Sequence, residues 1–458
     1  MVDPSSRALA RQAVDPSTDE ALHPPIASAP VAGRRPRVVI VGGGFAGLAA
    51  AHELRQADAE VLLIDRRNHH IFQPLLYQVA TAVLSPAEIA TPIRQLEVKQ
   101  ANLTVLLADV TAVSVAARTL DATPPGEGVR KVPFDFLVVA TGMRPSYFGH
   151  DEFALHAPAL KSLGDAETIR ARILSAFERA ATTDDEAERA RQMTFVLVGA
   201  GPTGVELAGS LAHMARVTLR GNFRRIDPAR SRIVLLDAGK QVLPTFDETL
   251  ARQATRRLAD LGVEVLTGIK VENVDDQGVI AGGARIPSAT VLWTAGVVAS
   301  RLPSLLGGQT DRAGRALVDP FLRVVDAPGV FVAGDAATVV QDRHPVPGVV
   351  QAAIQEGAYI GRLIAVELRG GSVGLPFRYV DKGNMAVVGR NFAVLERGRL
   401  RTSGFLTWLL WAFVHLFALP MLQNRLRVQP QWLWSYFTGQ RSSRFIPESP
   451  RAPGVEAT

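Results

Sequence analysis

No cysteine occurs anywhere in the sequence. A dithiol–disulfide relay, a persulfide intermediate, a cysteine-ligated iron–sulfur cluster and a structural disulfide are therefore excluded within this chain. The first 36 residues lack an apolar core long enough for a secretory signal, being rich in Ala, Pro, Ser and Asp. Asp15, Asp19 and Glu20 also disfavour an organelle-targeting role, so residues 1–36 are expected to form a mobile tail. A third scarcity is local. Between Arg397 and Pro447 there is neither lysine nor an acidic residue, yet that stretch holds seven arginines and four of the five tryptophans. The overall formal charge of +6, from 50 Lys and Arg against 44 Asp and Glu, conceals this concentration. Positive charge beside large amphipathic rings suits an anionic lipid surface at least as well as nucleic acid. We read it as a lipid-facing surface over about 404–444 and expect neither a nucleic acid nor a metal partner.

What is present is length and apolar content, 458 residues at 47% hydrophobic, enough for two or three domains. Arg37-Val-Val-Ile-Val-Gly-Gly-Gly-Phe-Ala-Gly reads as a buried strand turning directly into a helix. Gly42, Gly44 and Gly47 fall in G-x-G-x-x-G positions. The first glycine permits the tight turn, the second lets backbone approach a pyrophosphate, and the third lets helix and strand pack closely. A second strand ends at Asp65, 23 residues after Gly42, where a carboxylate can accept both ribose hydroxyls. A lone glycine pattern is an ordinary turn in many proteins; the flanking strand, the Ala-rich helix and the acidic strand end together make it a dinucleotide fingerprint.

The fingerprint recurs at Gly199, Gly201 and Gly204, with a following strand ending at Asp237. The 38 residues from Gly199 to Asp237 exceed the usual spacing, which an insertion or lengthened helix around Arg220 to Arg232 would explain. A carboxylate at this place favours a free 2′-hydroxyl over a 2′-phosphate, and Lys240 is the nearest cation, so NADH is preferred to NADPH. Further strands end at Thr141 and Gly142, at Thr294 to Gly296, and at Gly334 and Asp335, the last expected to lead into a small-residue helix. With the first glycine loop, these strand ends point to FAD as the second dinucleotide. The fold class expected is α/β, with two Rossmann-like domains of the glutathione-reductase type and a C-terminal membrane-associating helical module. Expected limits are 37–145 and 319–375 for the FAD domain, 146–318 for the NADH domain and 376–458 for the tail.

With these residues assembled, the chain resembles the type II NADH:quinone oxidoreductases from about Arg37 to Ile446. The segment Asp65-Arg-Arg-Asn-His-His-Ile-Phe-Gln-Pro-Leu-Leu-Tyr-Gln-Val-Ala is similar to one that lies beside FAD in that family. Val350-Gln-Ala-Ala-Ile-Gln is similar to its A-Q-x-A-x-Q signature, with Val350 in place of the first alanine, a bulkier group that puts the quinone preference in question. The resemblance implies FAD contacts at Arg66 and Ala353, a quinone or flavin hydrogen bond from Gln351 or Gln355, and a nicotinamide-side role for Glu206. It implies hydride transfer from NADH to FAD, then two electrons to a membrane quinone, on the cytoplasmic face of a bacterial inner membrane. Glu206 equally suits bracing a helix start, and the two glutamines an ordinary polar helix face. His69 and His70 are read as packing residues beside the first domain's strand.

Gly404 to Leu422 is nineteen residues without formal charge unless His415 protonates, close to a membrane span in length. Pro420, His415 and the interleaved Trp408 and Trp411 suit a helix lying at an interface, with Arg425 and Arg427 meeting phosphates. A buried homodimer helix is the other use of this segment. The competing readings are a soluble NADH-dependent flavoprotein reductase and a non-enzymatic FAD-binding membrane scaffold or sensor.

Overall fold

The computed structural model describes residues 34–446 other than 96 and 373, so most of the expected N-terminal tail and the end of the C-terminal module lie outside the described residues. Contacts divide the chain into two units. The first comprises residues up to His70, Pro92–Arg144 and Val297–Asp381; the second comprises Ile71–Thr91, Pro145–Gly296 and the residues from Lys382 onward.

The first unit is built on a five-stranded parallel sheet in the order Val330–Val332, Phe136–Val139, Arg37–Val41, Glu60–Asp65, Leu103–Leu107. Its central strands are runs of Val, Ile and Leu because parallel strands are covered on both faces. Phe136–Val139 is buried at every position. The Phe45–Glu53 helix leaves the first strand and packs against the Val350–Glu367 helix. Gly357 and Gly361 are what let these two backbones meet: a methyl group at Gly357 would lie 2.0 Å from the Ala46 carbonyl oxygen, and one at Gly361 2.6 Å from that of Ala50.

The second unit repeats the plan with four parallel strands, Val263–Thr267, Arg232–Asp237, Thr194–Val198 and Thr290–Trp293. The long interval before Asp237 is filled by the Pro202–His213 helix, a wider π-turn at Met214–Thr218 and a loop holding the short Pro228–Arg230 turn. Strand pairing is untouched, with Phe195 opposite Ile233 and Val198 opposite Leu236. A three-stranded antiparallel sheet, Asn384–Val387, Ala393–Arg397 and Leu400–Gly404, then leads to two helices, Phe405–Ala418 and Leu422–Thr438.

Several expectations shift. The first unit resumes at Val297, earlier than the expected 319, because Leu302 and Leu306 belong to the same core as Phe321 and Val330. Residues 71–91 belong to the second unit, where the Thr81 hydroxyl lies 2.7 Å from that of Ser210. No helix follows Asp335 directly: Gly334–Ala336 is a single tight turn leading into strand, and the helix begins at Val350. The nineteen-residue apolar run breaks near Pro420 into a helix of 14 residues. At 1.5 Å per residue that is about 21 Å, short of the roughly 30 Å hydrocarbon layer. No helix among the described residues is long and apolar enough to cross a membrane.

Close approach at Gly357 makes it a sensitive test of this packing. Gly357→Ala is expected to cost about 1–3 kcal/mol by overpacking, whereas Gly374→Ala, where a methyl group meets nothing within 4 Å, should change stability by less than about 0.5 kcal/mol. Urea unfolding of the two variants measures both.

Candidate active site

Each glycine loop is held by the acid at the end of the neighbouring strand. In the first unit, Asp65 accepts from the Gly43 N–H at 2.6 Å through one oxygen and from the Arg67 N–H at 2.7 Å through the other. In the second, Asp237 accepts from Ala200 N–H and Gly239 N–H, both at 2.6 Å. The loops are equally alike in their crowding. A methyl group at Gly47 would lie 1.9 Å from the Gly42 carbonyl oxygen, and one at Gly204 1.8 Å from that of Gly199. Gly44 and Gly201 are the opposite case: the nearest protein atom to an added methyl is 4.0 Å away at Gly44, and none lies within 4 Å at Gly201. These two residues cap the helices starting at Phe45 and Pro202, neither start being capped by a side chain. Open space above a glycine at a helix start without a side-chain cap fits a pyrophosphate, which backbone N–H groups of the turn would hold. The residues present therefore fit a dinucleotide in each unit.

The remaining sequence-derived residues divide between contact and support. Thr294 donates its hydroxyl to the Val198 and Gly199 carbonyls, at 2.9 and 2.8 Å, and so braces the second glycine turn. Its N–H bonds Val198 as that of Ala140 bonds Val41, which sets Thr294 level with Ala140, one residue before Thr141. Thr141 pairs its hydroxyl with that of Ser300 at 2.6 Å. Gly142, Gly296 and Gly334 all adopt positive φ. The space beside Gly334 is bounded by the methyl groups of Ala353 and Ala46, and Asp335 follows in the same turn. Arg66 is exposed. Gln351 lies in the first turn of the Val350–Glu367 helix, half-buried. Gln355 exchanges two hydrogen bonds with the Val380 backbone, 3.0 and 2.9 Å, which fixes its amide orientation. His70 is buried, bonds the Gly43 carbonyl at 3.1 Å and meets Phe45 edge-on.

Two features escaped the sequence reading. In the first unit, buried Glu356 accepts from Gly334 N–H at 2.6 Å, and desolvation pushes its carboxyl up to about 8. An acid between Ala352 and Ile360 on the buried stripe of one helix was the available signal. In the second unit, a cavity of about 410 Å3 lies under the two C-terminal helices. Trp408, Trp411, Trp432 and Tyr436 give it aromatic walls, while Tyr77, Gln78, Glu206, Ser210, His213 and Arg441 supply polar groups. Trp432 donates to Gln78 at 2.7 Å, and Gln78 in turn donates to the Tyr77 hydroxyl at 3.0 Å. Burial, then the nearby Glu206, push the Tyr77 hydroxyl well above its usual range, so it keeps its proton. Glu206 lines this cavity; desolvation pushes it up to about 8, against a weaker opposing bond from Val387 N–H at 3.3 Å. His415 donates toward the Trp411 carbonyl at 2.8 Å, and burial lowers it to about 4, so this helix carries no charge at neutral pH.

Residues 36–357 match the pyridine nucleotide-disulphide oxidoreductase family. The chain is 45% identical over 424 residues to the type II NADH:quinone oxidoreductase Ndh of Mycobacterium tuberculosis, covering 90% of each chain. It is 42% identical to that organism's type II NADH:quinone oxidoreductase NdhA, again over 90% of each. Among solved structures, NDH2 from Plasmodium falciparum in complex with NADH aligns with a TM-score of 0.82 at 18% identity, covering 89% of this chain and 99% of that one.

Glu206 gives the site a pH signature. Its carboxyl binds a proton up to about pH 8 in the folded state and only to about 4.5 when unfolded, so stability falls as pH rises between those values. Glu206→Gln removes the ionisation and keeps an acceptor for Val387. Urea unfolding should find the two proteins alike near pH 4.5 and the variant increasingly the more stable toward pH 8, by roughly a few kcal/mol. A difference that is flat with pH would mean Glu206 ionises normally.

Proposed function

The chain belongs to the type II NADH:quinone oxidoreductases, and we propose for it that family's reaction, carried out by the residues described above. It is a single-subunit, membrane-associated flavoprotein that oxidises NADH and reduces a quinone without pumping protons. The observation that carries this reading is the duplicated loop: two glycine turns, each closed by its own strand-end aspartate, in a chain without cysteine.

FAD, when bound, accepts the hydride of NADH and passes two electrons to the quinone. The protein's part is to hold and orient. Gly42, Gly44, Gly47 and Asp65 would hold FAD, with Arg66, Thr141, Gly142, Gly334, Asp335 and Ala353 around it. Gly199, Gly201, Gly204 and Asp237 would hold NADH, the second carboxylate taking the adenosine ribose, with Thr294 and Gly296 supporting the loop. Asp237 has two lone-pair positions left after its backbone bonds, enough for a pair of ribose hydroxyls. Gln351 is assigned to a quinone or flavin hydrogen bond. Gln355, held by Val380, is assigned to positioning that turn.

The aromatic cavity is assigned to the quinone. Its walls match an apolar ring and tail, and a few polar groups suffice for orientation. Around it, Leu406, Leu410, Phe413 and Phe417 form one exposed stripe, and Leu422, Leu426, Leu433 and Phe437 another, with Phe413, Leu433 and Phe437 also lining the cavity. Apolar stripes of this kind suit the boundary between headgroups and acyl chains, and we assign them to the cytoplasmic face of a bacterial inner membrane. A homodimer would cover part of the same surface.

Anaerobic stopped-flow mixing tests the reaction. Flavin absorbance should bleach with NADH and recover on adding a soluble quinone; absence of the first phase removes the NADH assignment, and absence of the second alone moves the reading to another acceptor. NADPH should bleach the flavin with an apparent affinity lower by about tenfold or more, since Asp237 repels a 2′-phosphate.

A further inference from the structure

From Arg216 to Arg232, within the interval that lengthens the second fingerprint, there are six arginines and one acid, Asp227. Three of the six are tied to the fold. Arg216 donates to the Gly262 carbonyl at 3.2 Å, Arg225 pairs with Asp184 and bonds the Thr182 carbonyl, and Arg232 pairs with Glu264 at 2.9 Å. Arg220, Arg224 and Arg230 are exposed and make no side-chain hydrogen bond or ion pair among the described residues. Asp227 turns its carboxylate to the Ala229 N–H at 3.0 Å, where it caps the Pro228–Arg230 turn and pairs with none of them.

The fold sets this segment against the end of the tail. Buried Thr218 donates its hydroxyl to the Gly439 carbonyl at 2.9 Å. Gly439 is the left-handed residue that ends the Leu422–Thr438 helix, and a methyl group there would lie 2.9 Å from Val217 Cγ1. Val217 is 45% exposed, and Phe437, two residues before Gly439, is 79% exposed. Apolar surface therefore continues from the tail helix onto the Met214–Thr218 turn. Just beyond it, the Asn222 N–H bonds the Leu219 carbonyl at 3.1 Å, and the Asn222 side chain bonds the Thr218 carbonyl at the same distance. Arg220 and Gly221 are the middle residues of that turn. Phe223 then packs against Phe177, which fixes the backbone beside Arg224. On the other side of the Gly439 contact, Arg444 bonds the Arg441 carbonyl and the Gln440 side chain but no acid.

Exposed apolar side chains edged by unpaired arginines match the surface of a charged bilayer, where acyl chains take the apolar groups and phosphates take the guanidinium forks. We propose that Arg220 and Arg224 bind headgroup phosphates of anionic lipid, so that the membrane-contact surface extends beyond the two C-terminal helices to the insertion before Asp237. This rests on the reading that the apolar stripes of the tail meet a membrane. Apolar burial sets the depth in the layer, and the arginines add a preference for charged lipid that weakens with salt.

Co-sedimentation of the full-length flavoprotein with vesicles tests this, using phosphatidylcholine alone and an equal mixture of phosphatidylcholine and phosphatidylglycerol. The parent should bind the mixed vesicles more tightly. Arg220→Gln/Arg224→Gln should weaken that binding by about twentyfold, about fivefold for each arginine, and leave binding to phosphatidylcholine unchanged. Flavin content and NADH oxidation by ferricyanide should stay at the parent's level. Arg130→Gln/Lys131→Gln removes the same charge from exposed positions of the first unit and should leave the lipid preference intact. Leu426→Ser/Phe437→Ser should weaken binding to both kinds of vesicle by about tenfold or more. If this last variant binds both like the parent, the membrane reading falls and the proposal with it. If it weakens as expected, two results overturn the proposal alone: an unchanged lipid preference in Arg220→Gln/Arg224→Gln, or an equal loss in Arg130→Gln/Lys131→Gln. A change of oligomer mass in Arg220→Gln/Arg224→Gln without vesicles would assign the segment to a second copy of the chain and overturn it as well.

Discussion

One carboxylate bridging two backbone N–H groups is the contact on which both dinucleotide sites depend. A glycine turn that brings a strand directly into a helix exposes amides that need acceptors, and buried amides left unsatisfied are costly. Asp65 and Asp237 meet that need for Gly43 and Ala200 while staying at the strand end where a ribose would arrive. The turn is then free to keep its next glycine uncovered and its helix start uncapped, as Gly44 and Gly201 do. Replacing the acid would remove both backbone bonds that hold the loop, in either unit.

The local parts of this arrangement were legible because each is written within a few dozen residues. Val, Ile and Leu runs gave the buried strands, the glycines the turns, and the acids their ends. The register of Thr294 was not, because the Thr141 and Thr294 strand ends look alike in sequence and only their backbone bonds show that Thr294 sits level with Ala140. The helix expected after Asp335 failed for a related reason: small residues permit a helix, and here they serve a tight turn followed by short strands. Pro420 marked a true break, yet Pro430 lies inside a continuing helix. Pro430 is the ninth of that helix's 17 residues, where it removes one backbone hydrogen bond without ending the helix.

The cavity was illegible because its polar groups come from distant segments. Residues 71–91 supply Tyr77 and Gln78, the Pro202–His213 helix supplies Glu206 and His213, and the tail supplies Arg441. No spacing rule links positions so far apart. The arginine-rich tail also misled in one respect. Its charge density suggested an outward surface, but Arg441 turns inward to bind carbonyls, and Arg425 bonds the Leu419 carbonyl at 3.0 Å. Asn424, which reads as an ordinary polar residue, is buried and fastens its helix to the Glu88 carbonyl at 2.8 Å.

Two similar carboxylate-anchored loops would then serve two different dinucleotides, one resident and one exchanged. Titrating Asp237→Ala with NADH under anaerobic conditions, while following flavin absorbance, addresses it most directly. The variant should retain its flavin, bleach normally with dithionite, and need at least about tenfold more NADH than the parent for half-maximal bleaching. Loss of the flavin from Asp237→Ala, or an unchanged NADH requirement, would contradict the division of labour between the loops.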